Sequence, residues 1–121
     1  MIEILPETEE DTLAIVVSGK LTKDDYDMIE PELRLRADQF DTFDMVVELT
    51  DMEGMEPAAM LEDLKFVKEF GDDIGRMAVI TGDALWQRCV DLTGRPFGKV
   101  MGVDLERFDD RVEAWKWLRG G

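Results

Sequence analysis

The chain has 121 residues, with 29 acidic side chains against 14 basic ones, no histidine, one cysteine and a formal net charge of -15. A field of that sign repels phosphate backbones and anionic lipid headgroups, so nucleic acid is not expected as a partner and membrane contact is expected to be weak at most. Hydrophobic residues make up 45% of the chain, yet no apolar run approaches the ~20 residues needed to span a bilayer. The N-terminus lacks the basic start of a signal peptide, so the expectation is one globular domain over 1–121, in the cytoplasm.

In chain order, Ile2 to Leu5 is a short apolar piece and Thr12 to Gly19 a β-branched run, with a polar turn from Pro6 to Asp11 between them. They read as an antiparallel pair. Thr22 is placed to cap a helix running to about Phe40, with Asp24 and Asp25 at its positive end. Tyr26, Ile29, Leu33 and Ala37 share one face of it, and Pro31 is expected to kink it or split off its first turns. Met45 to Leu49 is a near-continuous apolar strand suited to a central, doubly covered position, with Thr50 as its last residue.

Pro57 opens the next helix, whose inner face is expected to carry Leu61, Leu64, Val67 and Phe70 with Met60 beside them, and Gly71 ends it. Met77 to Ile80 is a fourth strand. Asp83 caps a helix carrying Leu85, Trp86, Cys89, Val90 and Leu92, which Gly94 closes, and Lys99 to Val103 reads as the fifth strand. Asp109 then caps a last helix that returns Val112, Trp115 and Leu118 to the core. The predicted fold is α/β, a mixed and mostly parallel five-stranded sheet covered by four helices in the order β-β-α-β-α-β-α-β-α.

Several separated stretches resemble the SpoIIAA-like family: SGKLTKDDYDMIEPEL at 18–33, VVELTDMEGMEP at 46–57, EDLKF at 62–66, RMAVITGDALWQ at 76–87, RPFGKV at 95–100 and EAWKWL at 113–118. The resemblance implies a fold similar to the STAS domain of anti-sigma-factor antagonists and to the lipid-binding CRAL-TRIO domain. In the antagonists the helix after the third strand begins at a phosphorylatable serine, where a phosphate would meet unpaired backbone N–H groups and the positive end of the helix dipole. Here the corresponding positions are Pro57 and Ala58; Ser18 is the chain's one serine and Thr50 stands several residues too early. A phosphorylation switch at this turn is therefore not expected. The chain also departs from the family pattern at Met55 and Leu61, where tryptophans are frequent.

No catalytic constellation stands out. The absence of histidine removes the commonest general base at neutral pH and the commonest metal ligand. Gly71, Gly75 and Gly82 lack phosphate-loop spacing, and the pairs Asp24-Asp25, Asp72-Asp73 and Asp109-Asp110 fall at helix starts or turns, where capping and hydration account for them. No cofactor and no metal site is expected. What remains is apolar surface: Met52 and Met55 in an exposed turn, Met60 behind them, Trp86 early in the next helix and Phe97 before the last strand.

These turns gather at the carboxyl ends of the strands, so Met52, Met55, Met60, Trp86 and Phe97 are candidate contacts for a ligand or partner, with plain core packing the competing reading of each. The functional expectation is a noncatalytic binding module for a small lipophilic molecule, as the likeness to a lipid-binding fold implies. The alternative is a STAS-type interaction module without the phosphoswitch, its Met-rich turn covered by a protein partner or a second copy. An enzyme working through carboxylates alone ranks last.

Overall fold

The computed structural model describes residues 1–6, 8–9 and 11–120, apart from the side chains of Phe97 and Met101. Strands β1 (Ile2–Ile4) and β2 (Thr12–Leu21) pair antiparallel, with Ile2 opposite Val17. Strands β3 (Phe43–Met55), β4 (Ile74–Ile80) and β5 (Asp104–Phe108) then add in parallel, giving the spatial order β1-β2-β3-β4-β5. The helices are α1 (Lys23–Gln39), α2 (Pro57–Phe70), α3 (Ala84–Cys89), α4 (Arg95–Met101) and α5 (Arg111–Leu118). A π-turn, Val90–Gly94, joins α3 to α4 with right-handed helical backbone at its flanks, so the two cross the sheet as one passage. Four helical passages over a mixed, mostly parallel five-stranded sheet are what the sequence predicted.

Strand order following chain order has a direct consequence. Successive right-handed crossovers that step in the same direction lie on the same face, so α1, α2 and the α3–α4 passage share one side of the sheet and α5 takes the other. The buried residues divide accordingly. Leu13, Ile15, Val17 and Met45 pack with Tyr26, Ile29 and Leu33 of α1 and Phe70 of α2. The alternating neighbours Ala14, Val46, Ala78 and Ile80 pack with Ala114 and Leu118 of α5.

Local signals explain most boundaries. Thr22 and Asp25 form a reciprocal capping box at the start of α1, the Asp25 amide donating to Thr22 Oγ1 at 3.3 Å and the Thr22 amide to Asp25 Oδ2 at 2.9 Å. Pro31 does not split α1, which runs unbroken through it: Pro31 is exposed, and so is Asp27, whose carbonyl loses its helical donor and can be hydrated instead.

Four expectations are corrected. Lys99 to Met101 is the end of α4, which Gly102 terminates at φ 81°, and the fifth strand follows it at Asp104–Phe108. The alternating charges of DLERF hid that strand, although charges are what an edge strand carries. The helix after Asp83 does not stop at Gly94 but widens into the π-turn and continues. Asp110, not Asp109, caps α5, accepting from the Glu113 amide at 2.9 Å, and Val112 is exposed while Ala114 is buried. Finally, β3 runs on to Met55, so the expected exposed turn at Met52 and Met55 is strand.

Candidate functional site

The end of β3 is unusual. Its ladder with β2 shifts register twice: Ser18 faces Thr50 and Gly19 faces Met52, leaving Asp51 over, while Lys20 faces Gly54, leaving Glu53 over. These are bulges, in which one extra residue opposes none. Asp51 takes a φ of 50° and Gly54 a φ of 138°, the latter a conformation that side chains rarely adopt. Strict alternation would aim Leu49, Asp51, Glu53 and Met55 at one face. The first extra residue instead turns Met52 to the face of Leu49 and the second restores Met55 to it, and all three pack against the α1–α2 side of the core.

Opposite this strand, α2 has little to bury. Its sheet-facing positions include the small Ala59 and the charged Asp63, and it packs chiefly on α1 rather than on the sheet. Tyr26 meets Phe66 edge-on at 5.1 Å, and Phe66 meets Phe70 at 5.7 Å. The sequence reading had Leu61 and Leu64 on the inner face of α2 with Met60 beside them; instead Met60, Leu61 and Leu64 are 56%, 62% and 56% exposed. The inner residues are Ala59, Phe66, Val67 and Phe70, with Asp63 on the same stripe but exposed.

Between the sheet and the three helices lies a cavity of about 360 Å³, reaching from Ile74 at the start of β4 to Leu21 and Met55 at the ends of β2 and β3. Its size is at the lower end of the roughly 300–1,000 Å³ usual for small-molecule sites. The wall is apolar, with Met45, Met52, Met55 and Met77 supplying adaptable thioethers. Trp86 closes one side, its indole N–H donating to the Met52 carbonyl at 3.1 Å. Asp83 holds the helix that carries it, accepting from the Leu85 and Trp86 amides at 2.8 and 3.3 Å.

Of the candidate residues, Met52, Met55 and Trp86 thus meet in one wall. Met60 is on the outer surface and not part of it, and the side chain of Phe97 lies outside the described residues.

The polar content of the wall is small. Thr93 spends its hydroxyl on the Cys89 carbonyl at 2.6 Å. Asp63 is the exception, a residue that sequence reasoning passed over as one more surface carboxylate on an acidic helix. It accepts from the Tyr26 hydroxyl at 3.0 Å and borders the cavity; the residue as a whole is exposed while its carboxylate is crowded by the wall, which places it at the cavity rim. Burial raises its pKa above the ordinary 3.8, the Tyr26 hydrogen bond acting the other way. Burial, then the Asp63 charge, pushes the Tyr26 hydroxyl upward, so it stays a neutral donor. Tyr26 on the inner stripe of α1 and an acid at 63, the very position an amphipathic α2 would fill with an apolar residue, are the sequence signal.

Among the described residues no group of histidines, cysteines and carboxylates is arranged to hold a metal ion. No helix among them is long and apolar enough to cross a membrane.

A family model described as SpoIIAA-like matches residues 12–119. The chain belongs to the SpoIIAA-like family. Among solved structures, this SpoIIAA-like chain is similar to an uncharacterized protein of the DUF3478 family with a SpoIIAA-like fold from Shewanella loihica PV-4, at 26% identity and a TM-score of 0.81, over 97% of this chain and 93% of that one. It is also similar to the anti-sigma factor antagonist SpoIIAA in its unphosphorylated form, at 13% identity and a TM-score of 0.66 over the whole of both chains, a likeness of fold alone. No curated protein matches the sequence. Against the STAS pattern of a serine at the start of α2, this SpoIIAA-like chain has Glu56 as N-cap, without a side-chain capping bond, and Pro57 in the first turn.

Proposed function

We propose that this SpoIIAA-like protein is a noncatalytic binding module that holds a small lipophilic molecule in the cavity beneath α2. The observation that carries the reading is the cavity of about 360 Å³ with an almost wholly apolar wall, to which Met52, Met55 and Trp86 all contribute. An apolar guest in such a cavity removes apolar wall from water, and the methionines of the wall adapt to its shape. The likeness of the family to the lipid-binding CRAL-TRIO fold points the same way.

The test is organic extraction of purified protein followed by mass spectrometry. A stoichiometric apolar passenger is expected. A clean extract, together with no uptake of any single-chain amphiphile by the purified protein, refutes the reading.

A second reading, an interaction module of STAS type, is favoured by a different observation. Met60, Leu61 and Leu64 put an exposed apolar patch on the outer side of α2, where a protein partner or a second copy would cover it. Light scattering and pull-down on Leu61→Asp and Leu64→Asp probe that surface, whereas Met55→Asp probes the interior. Association unchanged by the two surface variants removes the patch as a contact.

A further inference from the structure

We infer that the cavity selects single-chain amphiphiles by their heads, taking a hydrogen-bond-donating, cationic head such as an alkylammonium at Asp63 and rejecting fatty carboxylates. The inference rests on the proposed binding function and adds to it the chemical class of the ligand.

The argument begins with what Asp63 lacks. A carboxylate offers about four acceptor positions, and the contact found for this one is the Tyr26 hydroxyl on Oδ1, at 3.0 Å. No lysine or arginine is among the residues lining the cavity. Apart from the weakly polar Cys89 thiol, the other side-chain donors of the wall are engaged, Trp86 Nε1 with Met52 O and Thr93 Oγ1 with Cys89 O. A carboxylate at the rim of an apolar wall, still reached by water but with no cation among the lining residues, leaves its charge for whatever head group enters the mouth.

Position 63 lies on the cavity side of α2, where its neighbours in the wall are apolar. Its carboxylate is the one charged group among the lining residues, and so the group that a head at the cavity mouth meets. An ammonium head beside Asp63 supplies charge-assisted donors to the unused lone pairs, and its chain extends along the methionines and valines of the sheet. A fatty carboxylate placed there would set two anions side by side with no cation to separate them.

The protein is titrated calorimetrically at neutral pH with dodecylamine, dodecanol and dodecanoate, and the titrations are repeated with Asp63→Asn and Tyr26→Phe. Dodecylamine is expected to bind with one-to-one stoichiometry, about 10-fold or more tighter than dodecanoate. Asp63→Asn should erase that preference, weakening the amine, admitting dodecanoate and leaving dodecanol within a few-fold of its original affinity. Tyr26→Phe strips the carboxylate of its protein donor and should strengthen amine binding.

Dodecanoate binding wild-type protein as tightly as dodecylamine overturns the head-group inference while the cavity reading stands. So does equal loss of amine binding in both variants, which would mark a packing effect. If none of the three probes binds, the cavity reading falls and the inference with it.

Discussion

Val46 and Val47 are neighbours on β3 and should answer one substitution in opposite directions. Val46 is 1% exposed, packed among Ala14, Ala78, Ala114 and Leu118 beneath α5. Val47 is half-buried, between Ile15 and Val79 in the ladder, and its side chain borders the cavity. Phenylalanine adds about four carbons to either side chain, a gross gain near 3 kcal/mol at ~0.8 kcal/mol per buried methylene. A cavity of about 360 Å³ accepts such a ring without being filled by it.

After ring ordering and local strain, Val47→Phe should stabilise by about 1–2 kcal/mol, whereas Val46→Phe, which overpacks a filled layer, should cost roughly 1–3 kcal/mol. At roughly 3–6 °C per kcal/mol for a chain of this length, the two melting temperatures should separate by about 15 °C. Circular-dichroism melts and urea midpoints with unchanged slopes read the difference. If Val47→Phe loses as much stability as Val46→Phe, the cavity is closed in solution and the reasoning fails.

The pH dependence of stability should carry a signature of Asp63. Its folded-state pKa is raised above the ordinary 3.8, so the folded state holds the proton longer, and stability is lost as pH rises from about 3.8 through the raised value. Asp63→Asn removes that component: the stability difference between wild type and variant, followed by urea unfolding, should move in the variant's favour as pH rises across the window, and a flat difference rejects the assignment. Asp83→Ala removes the acceptor for the Leu85 and Trp86 amides and should cost about 1 kcal/mol in chemical denaturation. Phe43, at 1% exposure, should cost about 3–5 kcal/mol as Phe43→Ala. Leu61→Gln and Leu64→Gln, on the exposed side of α2, should each stay within about 0.5 kcal/mol of wild type; a loss of several kcal/mol would return them to the core.

What was legible in the sequence is what local chemistry decides. Thr22 with Asp25, Pro57 and Asp83 mark helix starts because they satisfy the first amides or need no donor there, and the 3.6-residue stripe of α1 buries Tyr26, Ile29 and Leu33 as it should. Failures came where tertiary context decides. Leu61 and Leu64 look like an inner stripe, but α2 leans on α1 through Phe66 and Phe70 and turns those leucines outward. The β-branched character of Lys99 to Val103 suggested a strand, but Gly98 lies close under Val103 and Leu105, where an added Cβ would come within 3.1 Å of the Val103 carbonyl, and the helix ends by folding back on itself there. The site was half visible. Met52, Met55 and Trp86 could be named, but Asp63 could be recognised only once its neighbours were apolar.

Asp51 and Glu53 are two residues that the ladder between β2 and β3 does not count. Deleting Asp51 would put Thr50 and Met52 on consecutive rungs opposite Ser18 and Gly19, so Met52 would keep its face, whereas deleting Met52 would remove the wall side chain itself. One residue of length is therefore spare at each bulge. What the spare residues add is local bend and twist of the strand, and since neither Asp51 nor Glu53 lines the cavity, that bend can be altered without touching any side chain of its wall.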